Sequence, residues 1–223
     1  MSGRLNKVND ARRRIWQIDF ARGIAVIGML VYHFLFDLEY IFQLPIGVLR
    51  MPLLLLARTV ASIFILIVGF SAAIKIKRLK QNGVKKLVTN FGKKSIYIFA
   101  PALLITGFTF FIFPEQIILL GILHFIALSL VLIIPFLYVK SNNILVTVGT
   151  FLIFLGLIVS NIKIGGNWLL IFGITSDSFS SFDYFPILPW FGVMLLGLVL
   201  GRKHGQIFQN RESSVEETPS LFV

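Results

Sequence analysis

Cysteine is absent from the 223 residues, which removes disulfides, thiolate-bound metals and a cysteine nucleophile together. Acidic residues are scarce, ten against 21 Lys and Arg, and the formal net charge is +11. No polar stretch is long enough for a soluble domain, and neither a low-complexity segment nor an internal repeat is evident. A Walker-type phosphate loop, a dinucleotide glycine fingerprint and a His-x-x-x-His pair are all missing, so soluble nucleotide enzymes and zinc hydrolases find no support. In a soluble protein this positive charge would suggest nucleic acid. Here it falls in short segments between apolar runs, where it sets topology and meets anionic headgroups. Membrane lipids are therefore the expected partner, with no nucleic acid and no metal.

What is present is apolar residue in quantity: 57% of the chain is hydrophobic, well above ordinary soluble composition. The expected fold is all-α, a polytopic membrane protein with about six transmembrane helices. Candidate spans are 18–38, 52–74, 95–113, 117–139, 144–161 and 186–201, each near the ~20 residues that a bilayer requires. Residues 1–17 form a basic segment, 18–201 the transmembrane domain, and 202–223 a polar tail expected to be disordered. The basic N-terminus precedes an apolar run without a small-residue cleavage site, so it reads as an uncleaved first helix. Eighteen of the 21 basic residues fall on one side of this topology, leaving Arg50, Arg58 and Lys163 on the other. With an even helix number, that bias places both termini in the cytoplasm. Residues 39–51, the Pro114–Glu115 corner and 162–185 are then external, and "NWLLIFGI" within the last is too short to span.

The segment "RGIAVIGMLVYHFLFD", Arg22 to Asp37, concentrates the ionisable groups. Fourteen residues without formal charge separate its ends, ~21 Å of helix, against a hydrocarbon core of about 30 Å. Arg22, Asp37 or both are thus drawn toward the membrane, and His33 lies inside it. At ~100° per residue, Asp19, Arg22, Val26, Met29, His33 and Asp37 fall within about 80° of arc. An unpartnered charge in lipid costs at least ~2.5 kcal/mol, so such a stripe should face protein or water. Arg58 and His124 sit about 9 and 10 Å from the outer ends of their own helices by the same rise. Three helices therefore place His33, Arg58 and His124 in the outer half of the bilayer.

Each residue also has a plain structural reading. His33 could bond a neighbouring backbone, and His124 could cap or bridge a helix. Arg58 could snorkel outward, and Asp19 with Arg22 could be a helix-face ion pair. Asp37 could mark the interface, while Glu115, Asp177, Asp183 and the lysine-rich segment 75–94 read as solvated topology charges.

Three stretches in order, "RIWQIDFARGIAVIGMLVYH", "GILHFIALSL" at 121–130 and "DYFPILPWFGVMLLGLVLG" at 183–201, resemble the heparan-alpha-glucosaminide N-acetyltransferase catalytic-domain family. The first also resembles the acyltransferase-3 family, in which an arginine and a histidine are spaced as Arg22 and His33 are. The resemblance implies a transmembrane acyltransferase that moves an acetyl group from cytoplasmic acetyl-CoA to an amine or hydroxyl of an extracytoplasmic saccharide or glycolipid. It implies a prokaryotic cell membrane as the setting. Family members of the human type are larger, with a luminal domain and further helices. On this implied function Arg22, with Asp19 beside it, suits the anionic donor, and ~16 Å of helix from Arg22 to His33 suits an extended pantetheine arm. His33 would be the general base and Asp37 its orienting neighbour, with Arg58 or His124 at the thioester oxyanion. Direct transfer and an acyl-histidine intermediate both stay open. A homo-oligomer, in which a second copy completes a cavity, is one reading of so small a chain. Two rivals remain: a proton-coupled transporter, because intramembrane Asp, Arg and His also mark relays, and a non-catalytic subunit of a glycan-synthesis complex.

Overall fold

The computed structural model describes residues 16–48, 50–79 and 83–216, with side chains described as far as residue 204 apart from 77–79. Among the described residues six α-helices follow one another: α1 Trp16–Tyr40, α2 Leu53–Leu79, α3 Val84–Ile112, α4 Ile122–Phe136, α5 Asn142–Val159 and α6 Ile187–Glu216. Short 3-10 turns lie at Pro114–Gln116 and Leu170–Phe172. Among the described residues β structure is limited to one isolated bridge, Lys163 to Thr175. Trp16–Tyr40, Leu53–Ile76, Val84–Ile112 and Asn142–Val159 are long and apolar enough to cross a membrane, and the chain is an integral membrane protein.

Two boundaries differ from the sequence reading. Helix α3 begins at Val84 rather than at 95. The lysines that marked a loop are good helix formers, and their long stems allow the charged heads to reach water from a helix. Helix α4 covers only 122–136 of the expected span 117–139, because the Pro114 turn and extended Gly121 delay its start. The polar tail opens as a continuation of α6 to Glu216; residues 217–223 and 1–15 lie outside the described part.

Helix α6 is the centre of the packing, with α2 against one side and α5 against the other. The contacts are backbone to backbone. A Cβ on Gly197 would strike the Leu66 carbonyl, and one on Gly69 the Met194 carbonyl. Small residues are what let apolar helices approach this closely where lipid supplies no hydrophobic drive. Ile65, Phe125, Ile133, Met194, Leu195 and Leu198 fill the core between them.

Helix α3 lies on α4, and α1 lies on α2. Short α4 is held at both ends by distant charges. At its start the Ile122 N–H donates to Asp183 Oδ2 at 2.8 Å. At its end the Arg202 guanidinium donates to the Val139, Phe136 and Leu137 carbonyls at 2.6, 3.0 and 3.1 Å. An anion at the N-terminus and a cation at the C-terminus both complement the helix dipole and satisfy orphan backbone groups.

Candidate active site

The α1 stripe is anchored first at its N-terminal end, the basic end of the bundle. Arg22 Nη1 donates to Asp19 Oδ1 at 2.9 Å, one turn away, and Nη2 donates to Ser71 Oγ on α2 at 3.0 Å. Both charged side chains are about half exposed, so the ion pair contributes little stability. Its effect is orientation: the guanidinium plane is fixed between two helices. Lys94 of α3 is close enough to Lys75 of α2 and to Arg22 for their charges to act on it. Lys75 Nζ also sits 5.2 Å from the centroid of the Phe91 ring, a cation–π distance. Three helices thus contribute three cations and one hydroxyl to one end, and a polyanion finds several donors there. Sequence reasoning found Arg22 and missed Lys75, Lys94 and Ser71 individually. For the lysines a signal was present, since Lys75 and Lys94 are the basic residues of their segment that border the apolar runs on either side.

His33 lies further along α1, exposed, with Nδ1 2.8 Å from the Met29 carbonyl oxygen. A carbonyl can only accept, so Nδ1 carries the proton and donates, and the neutral form of the ring keeps its lone pair on Nε2. The Tyr32 ring stands edge-on to the imidazole at 6.1 Å. Arg58 on α2 is also exposed, and its charge, with those of Asp183 and Glu39, reaches the Tyr32 hydroxyl. The Glu39 carboxylate in turn accepts from the Val48 N–H at 2.6 Å. Asp37 is exposed on the same stripe.

His124 is placed otherwise. It is 4% exposed, its ring meets Phe99 edge-on at 5.7 Å, and Nε2 lies 3.1 Å from Thr106 Oγ1. The Thr106 hydroxyl donates its proton to the Ile118 carbonyl at 2.6 Å, so His124 Nε2–H donates to the threonine oxygen. The ring is a strut between α3 and α4. Of the three outer-half residues expected to converge, His33 and Arg58 are exposed on neighbouring helices, whereas His124 is buried between α3 and α4.

The residue that sequence reasoning misread is Asp183. It was expected among the solvated charges, yet it is partly buried and accepts from the α4 N-terminus. Burial pushes its carboxyl above the usual carboxylate range; the Ile122 N–H and the charge of His33 pull it part of the way back. Glu115 and Asp177 are exposed as expected. The loop around Asp183 is pinned. Ser181 Oγ lies 2.9 Å from the Ile117 carbonyl and 3.1 Å from the Asp183 carbonyl, and the Phe185 N–H donates to the Leu120 carbonyl at 2.7 Å. Tyr184 donates to the Leu170 carbonyl at 2.6 Å, and burial pushes its hydroxyl up to about 12. Phe182 meets Phe36 and Tyr40 of α1 and Phe113 at the end of α3, all edge-on at 5.1 to 5.3 Å. Among the described residues no group of three His, Asp or Glu side chains is placed to hold a metal.

The catalytic-domain model for heparan-alpha-glucosaminide N-acetyltransferase matches residues 14–223, nearly the whole chain. The protein belongs to this acetyltransferase family. No curated protein and no solved structure matches the sequence. All three stretches that carried the resemblance lie within the matched region, and the stripe, the Asp183 loop and α6 are members of one acetyltransferase-family domain.

Proposed function

We propose that the protein is a membrane acetyltransferase that takes an acetyl group from acetyl-CoA at the basic end and transfers it to an amine or hydroxyl of a saccharide or glycolipid near His33. The observation that carries this reading is the stripe itself. Arg22, fixed by Asp19 and Ser71 beside Lys75 and Lys94, and His33, with its exposed imidazole, lie on one helix flank, ~16 Å apart by helical rise. The cations would hold the nucleotide phosphates, with Asp19 and Ser71 fixing the Arg22 plane, and the pantetheine arm would run along α1 toward His33.

In the transfer step His33 Nε2 takes the proton of the acceptor amine or hydroxyl as its nitrogen or oxygen bonds to the acyl carbon. Arg58 faces the oxyanion that forms. Collapse of this tetrahedral centre breaks the carbon–sulfur bond, and the departing CoA thiolate takes the proton from His33. Asp183 is a carboxylate on which the His33 charge acts, which favours it over Asp37 as the partner of the imidazole. With no cysteine in the chain, an acyl-thiol enzyme has no place in the scheme. His124 supports the fold around the site by fixing α3 on α4. In the corresponding topology six helices cross, both termini are cytoplasmic, and the cell membrane of a prokaryote is the setting.

The test is acetyl transfer from radiolabelled acetyl-CoA by purified protein in lipid, with glucosamine and a membrane glycolipid extract as acceptors. Label on either acceptor that is lost in a folded His33→Gln variant supports the reading. Competent wild-type protein that neither binds nor transfers the acetyl group would overturn it and favour a transporter.

A further inference from the structure

His33 must be reached by its acceptor, and the fold restricts the directions of approach. On α1, Arg22, Met29, His33 and Tyr40 fall within ~40° of arc. At one end of that arc Arg22 is near Lys94 of α3. At the other, Tyr40 meets Phe182, which also meets Phe113 at the end of α3. His33, between them, therefore looks into the gap between α1 and α3. These two helices pack on α2 and α4 rather than on each other.

The gap is bounded at both ends. Over His33, Phe36 and Tyr40 are stacked at 4.3 Å, and Phe182 bridges them to Phe113. The bridge belongs to the loop pinned through Ser181, Asp183 and Phe185. At the other end lie the Arg22–Ser71 bond and the lysines, which suit the donor. The remaining direction is sideways, from the bilayer.

The two walls differ in chemistry. The α1 wall carries the polar groups Arg22, His33 and Asp37, with Val26 and Met29 between the first two. The α3 flank that continues from Lys94 carries Ile105, Phe108 and Ile112, within ~60° of arc, and all three are exposed. A polar wall facing an apolar wall at hydrocarbon depth matches an amphiphile better than a free sugar.

The geometry points to a lipid-anchored saccharide as the acceptor, entering laterally between α1 and α3 with its sugar toward His33 and its chain against Ile105 and Phe108. This inference rests on the acyltransferase reading for its chemistry, but the mode of binding can be read without turnover.

The experiment uses full-length protein in lipid vesicles and two probes, hexadecyl glucosaminide and methyl glucosaminide. The hexadecyl probe carries a photoreactive diazirine on its chain for labelling. The expected result is label on α3 around Ile105 and Phe108, displaced by unlabelled hexadecyl glucosaminide and not by the methyl glycoside. Label distributed over all lipid-facing helices, or displaced equally by the methyl glycoside, overturns the inference whether or not the protein turns over. Where turnover is measured, kcat/KM for the hexadecyl acceptor exceeds that for the methyl acceptor by about tenfold or more. Phe182→Ala opens the approach over His33 and raises activity on the methyl acceptor alone, whereas Ile105→Gln lowers activity on the hexadecyl acceptor alone. Equal efficiency for both acceptors, unchanged in these variants, contradicts lateral entry while leaving acetyl transfer intact. Failure of transfer with specific labelling of α3 instead refutes the reaction and keeps the site.

Discussion

Replacing Asp183 separates what its carboxyl does as a hydrogen-bond acceptor from what it does as a charge. Oδ2 accepts from Ile122 N at 2.8 Å, one of the first amides of α4, and Gly121 leaves room for it: a Cβ there would lie 2.5 Å from that oxygen. Asp183→Ala removes the acceptor and strands a partly buried donor, which costs about 1–3 kcal/mol. For a domain of this length that is roughly 2–4 °C of thermal midpoint per kcal/mol. Asp183→Asn keeps an oxygen in place and removes only the charge. Because burial raises the native carboxyl above its unfolded value, the native state holds the proton where the unfolded state has released it. Stability from this group is therefore fully present below the unfolded value of about 3.9 and is lost as pH rises through the raised native value. Asn, always neutral, is expected to match or exceed wild type at neutral pH and to show a flatter stability profile across that window. Thermal unfolding of wild type, Ala and Asn proteins in lipid, followed by circular dichroism at several pH values, reads both effects. Equal midpoints for Ala and Asn would refute the capping argument, and an Asn variant as pH-dependent as wild type would refute the electrostatic one.

Tyr184→Phe removes a partly buried donor to the Leu170 carbonyl and should cost about 1 kcal/mol; it should also remove this group's share of the alkaline loss of stability between 10 and about 12, where only the unfolded tyrosine is ionised, as read by unfolding against pH. Gly197→Val drives a side chain into the Leu66 carbonyl and should cost about 1–3 kcal/mol or more, whereas Gly92→Ala, with nothing near its Cβ position, should be neutral or stabilising by about 0.5–1 kcal/mol; thermal midpoints in lipid compare the two. Arg22→Ala should raise KM for acetyl-CoA by about tenfold or more, the worth of a charge-assisted bond, and change kcat less; a fall in kcat with KM unchanged speaks against a donor-binding role.

The helices were legible because long apolar runs announce themselves, and four of those described are long and apolar enough to cross a membrane. The ends were less so. Lysines at 85, 86, 93 and 94 read as a loop because charge normally stops a span, yet helix α3 carries them. The α1 stripe was legible because helical periodicity places Arg22 and His33 on one flank without any tertiary information. Asp183 was not, because an aspartate in a polar loop looks solvated until the loop is seen folded over the start of α4. The same holds for His124: the expected distance from its helix end counted from residue 117, but α4 starts at Ile122, two residues before it, and the Thr106 bond that occupies the ring left no local signal. Contacts such as Phe182 on Phe36, far apart in sequence, leave no local signal.

On the proposed function, donor binding and acyl transfer are organised along α1 from the basic end to His33. The most direct measurement places the protein in sealed vesicles of known orientation, with glycolipid acceptor in the membrane and radiolabelled acetyl-CoA added outside. Transfer is expected when the basic end faces outward, little in the opposite orientation until the vesicles are permeabilised, and none in either with His33→Gln. Equal transfer in both orientations of intact vesicles, or transfer that survives loss of His33, would contradict it.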